Sequence, residues 1–523
     1  MPANRSGEDV PVVVVGAGPV GLLAALLLSR HGVSSVVVDA RRSASEEGSK
    51  AICIQRDSLE IADRVGIAGT MVAEGVTWRI GRTFYRDDEL FHIELPTDAT
   101  AAFPPFVNIS QARTEALLVE KVRACPMIDL RYGHNVVAVR DLEDGVETEL
   151  SNGAVLRSLY VLGCDGARSV VRRSMGCSFD GMSFDEQFLI ADIRCALDFG
   201  NERRFFFDPS WNPGRQVLVH PCPEGIWRID WQVPADFDLP SEQEAGRLDD
   251  RIRKVVGSRP YDVVWLSVYR FHQRRASAFV KGRVLLCGDS AHIYAPFGAR
   301  GLNAGFHDAE NAAWKVAATV QGWAGPDLLA SYALEREEAA DENLRVTAET
   351  MKFLVPADTE GWDRRRDLLG RVREDPLLRP HINSGRLAEP YWYNGSPLTT
   401  GGTLDGFATE PGSVRPVQPG VLCPDLPIRS MDDTRPGRLR RLFGSSFVAL
   451  TVASDETAIT LRLPPAVPCE VVSFDRLDQT GALAEVLGAG EAKVVLVRPD
   501  GYLAAIVDRD EAASALNRAV GRA

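Results

Sequence analysis

Residues 11 to 39, PVVVVGAGPVGLLAALLLSRHGVSSVVVD, leave this chain little choice of fold. Val12 to Val15 form the β-branched run that a parallel strand buried on both faces requires, and Leu22 to Leu28 are unbroken helix formers. Between them Gly16, Gly18 and Gly21 keep the G-x-G-x-x-G spacing. The first glycine allows a tight turn, the second lets a pyrophosphate approach the backbone, and the third lets helix and strand pack closely. The helix then offers unpaired N–H groups and a positive dipole end to the phosphates. Asp39 closes the second strand, 23 residues after Gly16, where a carboxylate accepts hydrogen bonds from an adenosine ribose. The stretch predicts a dinucleotide-binding βαβ unit, and by itself leaves NAD and FAD equally open.

The 523 residues amount to about three domains, and 45% hydrophobic residues suffice for sizeable cores. A net charge of −13, from 72 acids against 59 bases, argues against a nucleic-acid partner. MPANRSGEDV lacks the apolar core of a signal peptide and no apolar run approaches a membrane span, so a soluble, cytoplasmic protein without a membrane partner is expected. Nine cysteines form no C-x-x-C pair, and eight histidines include no ligand spacing, which points to reduced core thiols and no metal. G-x-S-x-G is absent, which removes the α/β-hydrolases.

Two more strand ends carry an acid beside a glycine. YVLGCDGARSVVRRSMG, residues 160 to 176, reads as a strand ending at Asp165-Gly166 and a helix opening near Ser169. GRVLLCGDSAHIYAPFGARGLNAGFHDAENAAWKVA, residues 282 to 317, reads as a strand Val284 to Leu286, the acid Asp289, a Pro296-Phe297-Gly298 loop and a turn Gly301-Leu302-Asn303 before a helix. Ligands collect at such strand ends in open α/β sheets, although each acid alone would serve equally as a cap.

In this order the three motifs resemble the single-component FAD-dependent aromatic hydroxylases, the p-hydroxybenzoate and phenol hydroxylase group, over about residues 10 to 350. The resemblance implies that Gly16, Gly18 and Gly21 cradle the FAD pyrophosphate, that Asp39 holds the ribose, and that Gln111 reaches the flavin chain. It places Asp165 between noncovalent FAD and a transient NADH or NADPH, supported by Arg172, and Asp289 on the ribityl chain. Pro296 and the Gly301, Leu302 and Asn303 backbone would lie against the reactive edge of the flavin, with a helix N-terminus following Asn303 or capped by it. Lys50 stands where relatives commonly have Arg, and lacks the planar fork. The implied reaction is hydroxylation of a phenolic or other electron-rich ring by O₂ through a flavin C4a-hydroperoxide, the protein supplying position and dryness. A Baeyer-Villiger or ring-cleaving oxygenase, a flavin reductase and a non-catalytic FAD protein remain alternatives. A halogenase lacks support, since W-x-W-x-I-P is missing and Trp227 and Trp231 lie four apart.

The expected fold class is α/β: a Rossmann-like FAD domain interleaved with a mixed or antiparallel substrate sheet, followed by a thioredoxin-like α/β unit. Residues 1–180 and 276–393 would form the FAD domain and its helices. Residues 181–275 would form the substrate sheet, with 75–105 contributing. GIWRIDWQVP alternates Trp227, Ile229 and Trp231 on one face with Arg228, Asp230 and Gln232 on the other. Arg204, Phe206, His220, Trp227 and Tyr294 are the candidates to line a small-aromatic pocket, with a His or Tyr to take a phenol proton. Residues 394–427, rich in Gly, Pro, Ser and Thr, read as a linker. Residues 428–523 resemble the thioredoxin-like domain of some phenol hydroxylases without its C-x-x-C, which suggests a structural or homodimerising role.

Overall fold

The computed structural model describes residues 9–44, 51–95, 101–383, 385, 387–402, 415–429, 437–452, 461, 463–478, 480–490 and 492–522. The valine-rich strand Asp9–Val15 lies at the centre of the first sheet, parallel to Ser35–Asp39 on one side and Val155–Gly163 on the other. Ile128–Tyr132 and Val284–Leu286 extend the sheet in parallel at either end, and Val280–Lys281 adds an antiparallel edge. A hairpin, Val136–Asp141 with Val146–Leu150, joins the early part of Val155–Gly163. Helices Pro19–Arg30, Gln111–Ala124 and Gly301–Val320 cover this sheet. Val12 to Val14 and Leu22 to Ala25 are completely buried in the resulting core, the arrangement that a continuous apolar run requires.

The second sheet hangs from the first by two long strands, Phe179–Arg194 and Asp262–Ala276, which pair antiparallel over most of their length. Strands Ile226–Val233, Gln216–Pro221 and Glu202–Phe207 follow in antiparallel order. Ile80–Tyr85 then adds in parallel, and Asp88–Glu94 forms the far edge. His292–Ile293 pairs with the end of Asp262–Ala276. One face of this sheet is sealed by the amphipathic helix Arg247–Val256, with Trp227, Ile229 and Trp231 packed on Leu248, Ile252 and Val256.

The opposite face carries Phe188, Phe205, Phe207, Leu218 and Phe271, and packs on Phe297 and on Met351 and Leu354 of the helix Leu328–Leu354. Phe297 meets Phe188 at 5.9 Å and Phe271 at 6.0 Å between ring centroids. This face therefore looks toward the first sheet.

The C-terminal unit is a four-stranded sheet ordered Cys469–Ser473, Phe447–Thr451, Lys493–Val497, Leu503–Asp508. The first pair is parallel and the other two are antiparallel, with helix Ala512–Ala519 packed alongside. It docks onto the rest of the chain through Trp314, Ala318, Trp323 and Leu328, which share a core with Phe447, Val494 and Leu496. Described residues of the expected linker 394–427 do not form a tether. Leu398, Val421 and Cys423 are buried, Thr400 pairs with Ala505, and Leu422 pairs with Tyr502. Short apolar anchors among the glycines and prolines account for that packing. No helix among the described residues is long and apolar enough to cross a membrane, and none of their His, Cys, Asp and Glu side chains cluster as a metal site.

Candidate flavin and substrate site

The first glycine motif is shaped by contact on two sides and by space on the third. Gly16 adopts φ +106°, and a Cβ there would lie 2.4 Å from the Cys164 carbonyl oxygen. A Cβ at Gly21 would lie 2.0 Å from the Gly16 carbonyl oxygen, so helix and strand touch through bare backbone. At Gly18, the N-cap of Pro19–Arg30, a Cβ would meet nothing within 4 Å. That open cradle at a helix N-terminus fits a pyrophosphate group.

Asp39 ends its strand beside the cradle. Its Oδ2 accepts from the Ala17 N–H at 2.7 Å, and its Oδ1 accepts from the Arg41 backbone N–H at 2.8 Å. Arg41, which no sequence motif singles out, grips the same carboxylate and reaches Glu115 at 2.8 Å and the Ala17 carbonyl at 2.9 Å. Gln111 opens the helix Gln111–Ala124, and its Oε1 accepts from the Ala51 N–H at 3.3 Å. Lys50 lies outside the described residues.

The second and third motifs are bonded to each other. Asp165 accepts from Ser169 Oγ and from the Val170 and Val171 N–H groups, capping the short helix Val170–Ser174. Burial raises its carboxyl against the pull of those donors. Arg172 donates to the Ser290 carbonyl and to the Ala167 carbonyl, both at 2.8 Å, and lies over the Phe179 ring. Asp289 is exposed on the turn Gly288–Ser290. That turn is held from below by a residue that sequence reasoning missed: Asp308 accepts from the Gly288 N–H at 2.8 Å, lies 2.7 Å from His292 Nε2 and pairs with Arg336 at 2.6 Å.

Pro296 is exposed in its loop, Leu302 is half-buried, and a side chain at Gly301 would meet nothing within 4 Å. The helix begins at Gly301, so Asn303 is neither its N-cap nor the residue before it. The physical reason is that Asn303 is fully engaged elsewhere in the first turn. Its Oδ1 accepts from the Gln55 N–H, and its Nδ2 donates to the Cys53 carbonyl, both at 3.0 Å, and to the Ala299 carbonyl at 2.6 Å. These bonds pin the helix start to the strand Cys53–Gln55.

The substrate candidates divide between two faces. Arg204, Phe206 and Trp227 lie on the face sealed by Arg247–Val256: Arg204 over Phe199, Phe206 on Phe84 and Trp211, Trp227 against Phe199. Strand pleating puts them away from the first sheet, a correction to the expectation that they line a pocket there. Tyr294 is buried in the cofactor-side core, stacked on His292 at 4.7 Å. Of the five, His220 alone occupies the inward face of the sheet, beside Arg203 and Asp230.

A dinucleotide cradle, two further motifs bonded to it, and a sheet roofing them define a two-layer flavoprotein of the oxygenase type. The chain belongs to the FAD binding domain family, whose profile matches residues 9–347. It is 29% identical to a 3-(3-hydroxy-phenyl)propionate/3-hydroxycinnamic acid hydroxylase of Mycolicibacterium gilvum (strain PYR-GCK), over 95% of this chain and 89% of that protein. Against the protein of the same name from Mycobacterium sp. (strain JLS) the identity is also 29%, over 72% of this chain and 66% of that one, slightly under two thirds of its length. The solved flavin-dependent monooxygenase PieE, in complex with FAD and substrate, shares the fold with a TM-score of 0.86 at 24% identity, covering 99% of this chain and all of that one.

Proposed function

We propose that this protein is an FAD-dependent monooxygenase that hydroxylates a phenolic or other electron-rich aromatic substrate with NADH or NADPH and O₂. The carrying observation is the junction at Asn303, which ties the helix start beside the open Gly301 to the Cys53 carbonyl, while Asn108, the strand partner of Cys53, donates to the Pro221 carbonyl of the second sheet. Bound FAD supplies electron transfer from the nicotinamide and activation of O₂. The chain's own residues do the rest. Gly18 leaves room for the pyrophosphate, while Gly16 and Gly21 let turn, helix and strand pack through bare backbone; Asp39 and Gln111 would hold the adenosine ribose and the flavin chain, and Asp289 would accept from the ribityl hydroxyls. Backbone N–H groups at Gly301, Leu302 and Asn303 would stabilise negative charge on the flavin ring, as donors in an oxyanion hole do. The aromatic inward face excludes water from the ring.

We read the protein as cytoplasmic, and its C-terminal unit as a thioredoxin-like structural module available for homodimer contact. Burial pushes the Cys423 and Cys469 thiols up to about 12, which supports a role without thiol chemistry. The test is direct. Purified protein should be yellow with noncovalent FAD, oxidise NADH or NADPH faster with a phenol present, and incorporate one atom of labelled O₂ into the product. Protein that neither carries nor takes up FAD would sink the reading.

A further inference from the structure

One short segment, residues 388–393, is bonded to three elements of the candidate site. Its first residue pairs on both sides: the Ala388 N–H donates to the Gly298 carbonyl at 2.9 Å, and the Ala388 carbonyl accepts from Gln55 Nε2 at 2.5 Å. Its last residue reaches the third motif from below. The Tyr393 hydroxyl accepts from Arg336 Nη1 at 2.9 Å, Arg336 Nε donates to Asp308 at 2.6 Å, and Asp308 accepts from the Gly288 N–H at 2.8 Å. The segment thus ties the loop 296–300, the strand Cys53–Gln55 and the turn Gly288–Ser290 to one support.

That support is the C-terminal unit. The Tyr393 N–H donates to the Gly420 carbonyl and the Gly420 N–H to the Leu503 carbonyl, both at 2.7 Å, and the Tyr393 ring stacks on Tyr502 at 4.2 Å. Hydrogen bonds, more than packing, fix the other end. A cavity of about 470 Å³, partly open to solvent, lies between residues 388–391 and two helices, with Ala304 and His307 of Gly301–Val320 and Ala339 of Leu328–Leu354 on its far wall. Across such a gap the dispersion contacts of a close-packed interior are missing.

The loop that Ala388 holds does not keep its shape unaided. Ala299 adopts φ +54° directly after Gly298 at φ +82°, and a left-handed alanine is disfavoured because its Cβ crowds the following carbonyl. Such a residue persists only where its surroundings over-determine it. Here Asn303 Nδ2 donates to the Ala299 carbonyl at 2.6 Å, Arg300 Nη1 to the Phe297 carbonyl at 3.0 Å, and the Ala388 N–H to the Gly298 carbonyl between them. Two of these bonds come from the helix start itself, and the third comes from the segment 388–393.

We propose that residues 388–393 form a positioning strap, through which the C-terminal unit holds the strained loop 296–300 and the turn Gly288–Ser290 in the geometry that binds flavin. Gln55 and Tyr393 are its positioning residues. Each acts through another group: Gln55 through the Ala388 backbone, Tyr393 through Arg336 and Asp308. The inference rests on the reading that this loop and this turn face the flavin, and it gives the C-terminal unit a task that needs no thiol.

The probe is FAD titrated into the full-length apoprotein, with fluorescence giving the dissociation constant and visible circular dichroism reporting the surroundings of the bound flavin. Tyr393→Phe keeps the ring on Tyr502 but removes the acceptor from Arg336, and Gln55→Met removes the donor to Ala388. Each should weaken FAD binding by about threefold or more and alter the visible dichroism, since members of one hydrogen-bond network couple at that level. Ala299→Gly isolates the strain. Glycine accepts the left-handed backbone without steric cost, so Gln55→Met added to Ala299→Gly should bind FAD within about twofold of Ala299→Gly alone. Losses that simply add in the double variant overturn the proposal. So do single variants that melt earlier yet bind FAD with wild-type affinity and dichroism, the pattern of a merely structural segment. Should Tyr393→Phe fail to fold, the Gln55 and Ala299 variants decide alone. Wild type that takes up no FAD overturns the flavin reading as well, whereas wild type and variants binding FAD alike overturn the strap only.

Discussion

Two glycines two residues apart make opposite demands, and substitution separates them. At Gly16 the positive φ and the Cys164 carbonyl forbid a side chain, so Gly16→Ala should lower stability by about 2 kcal/mol or more, with or without flavin. At Gly18 the backbone is extended and the space is empty, so Gly18→Val should change the melting of apoprotein by no more than about 1 kcal/mol while abolishing FAD retention. Equal melting losses in both variants would remove the cradle assignment. Asp289, exposed at its strand end, tests the other end of the cofactor: Asp289→Ala should weaken FAD binding by roughly ten- to a hundredfold, read by titrating FAD against melting temperature. The glycines were legible in the sequence because their constraint is local, a turn between a strand and a helix. The inward-facing residues were not. Alternation showed that Trp227, Ile229 and Trp231 share a face and that Arg228, Asp230 and Gln232 share the other, but not which face meets the cofactor. That depended on Leu248, Ile252 and Val256 covering the tryptophans from a helix elsewhere in the chain. Arg41, Asp308 and Arg336 were equally hidden, since an ion pair between separate elements leaves no periodic signal.

At the scale of elements, the helix Gly301–Val320 joins both ends of the site. Its first turn holds Cys53–Gln55 through Asn303, and its third turn holds Gly288–Ser290 through Asp308. Breaking the second tie should propagate along the helix. Asp308→Asn leaves the buried Arg336 without its carboxylate, which should cost about 3–5 kcal/mol and release flavin before global unfolding, measured by comparing flavin fluorescence with circular dichroism on heating. Coincident transitions in wild type and variant would mean that the turn does not depend on this support.

For the whole molecule, the C-terminal unit is held by charge as well as by its apolar seam. Arg498 binds Glu335 at 2.6 and 2.9 Å, Lys315 binds the same carboxylate at 2.7 Å, and Asp57 is shared by Arg415 and Arg440 at 2.7 and 2.9 Å. Burial alone would raise Glu335 and Asp57, but their cationic partners outweigh it and leave both carboxyls well below the usual range. A carboxyl depressed in the folded state adds stability that is complete above its unfolded value, about 4, and is lost only as pH falls through the folded value. One melting transition should therefore persist from neutral pH down to about pH 5 and in strong salt, because buried pairs are little screened. A separate early transition under mild acid would contradict the docking. Replacing both Cys423 and Cys469 with Ser should leave turnover unchanged, and a clear loss of activity would show thiol chemistry in the C-terminal unit. The layout of the first sheet also sets an order of events in time. Asp9–Val15 is synthesised first, but the strand beyond its neighbour Val155–Gly163 is Val284–Leu286, and the long antiparallel strands of the second sheet lie between them. A chain emerging from the ribosome must hold an unfinished first sheet until the second has been made, so closure over such a sequence separation should be slow and aggregation-exposed. A nascent chain halted before Val284 should bind no flavin, however long it waits.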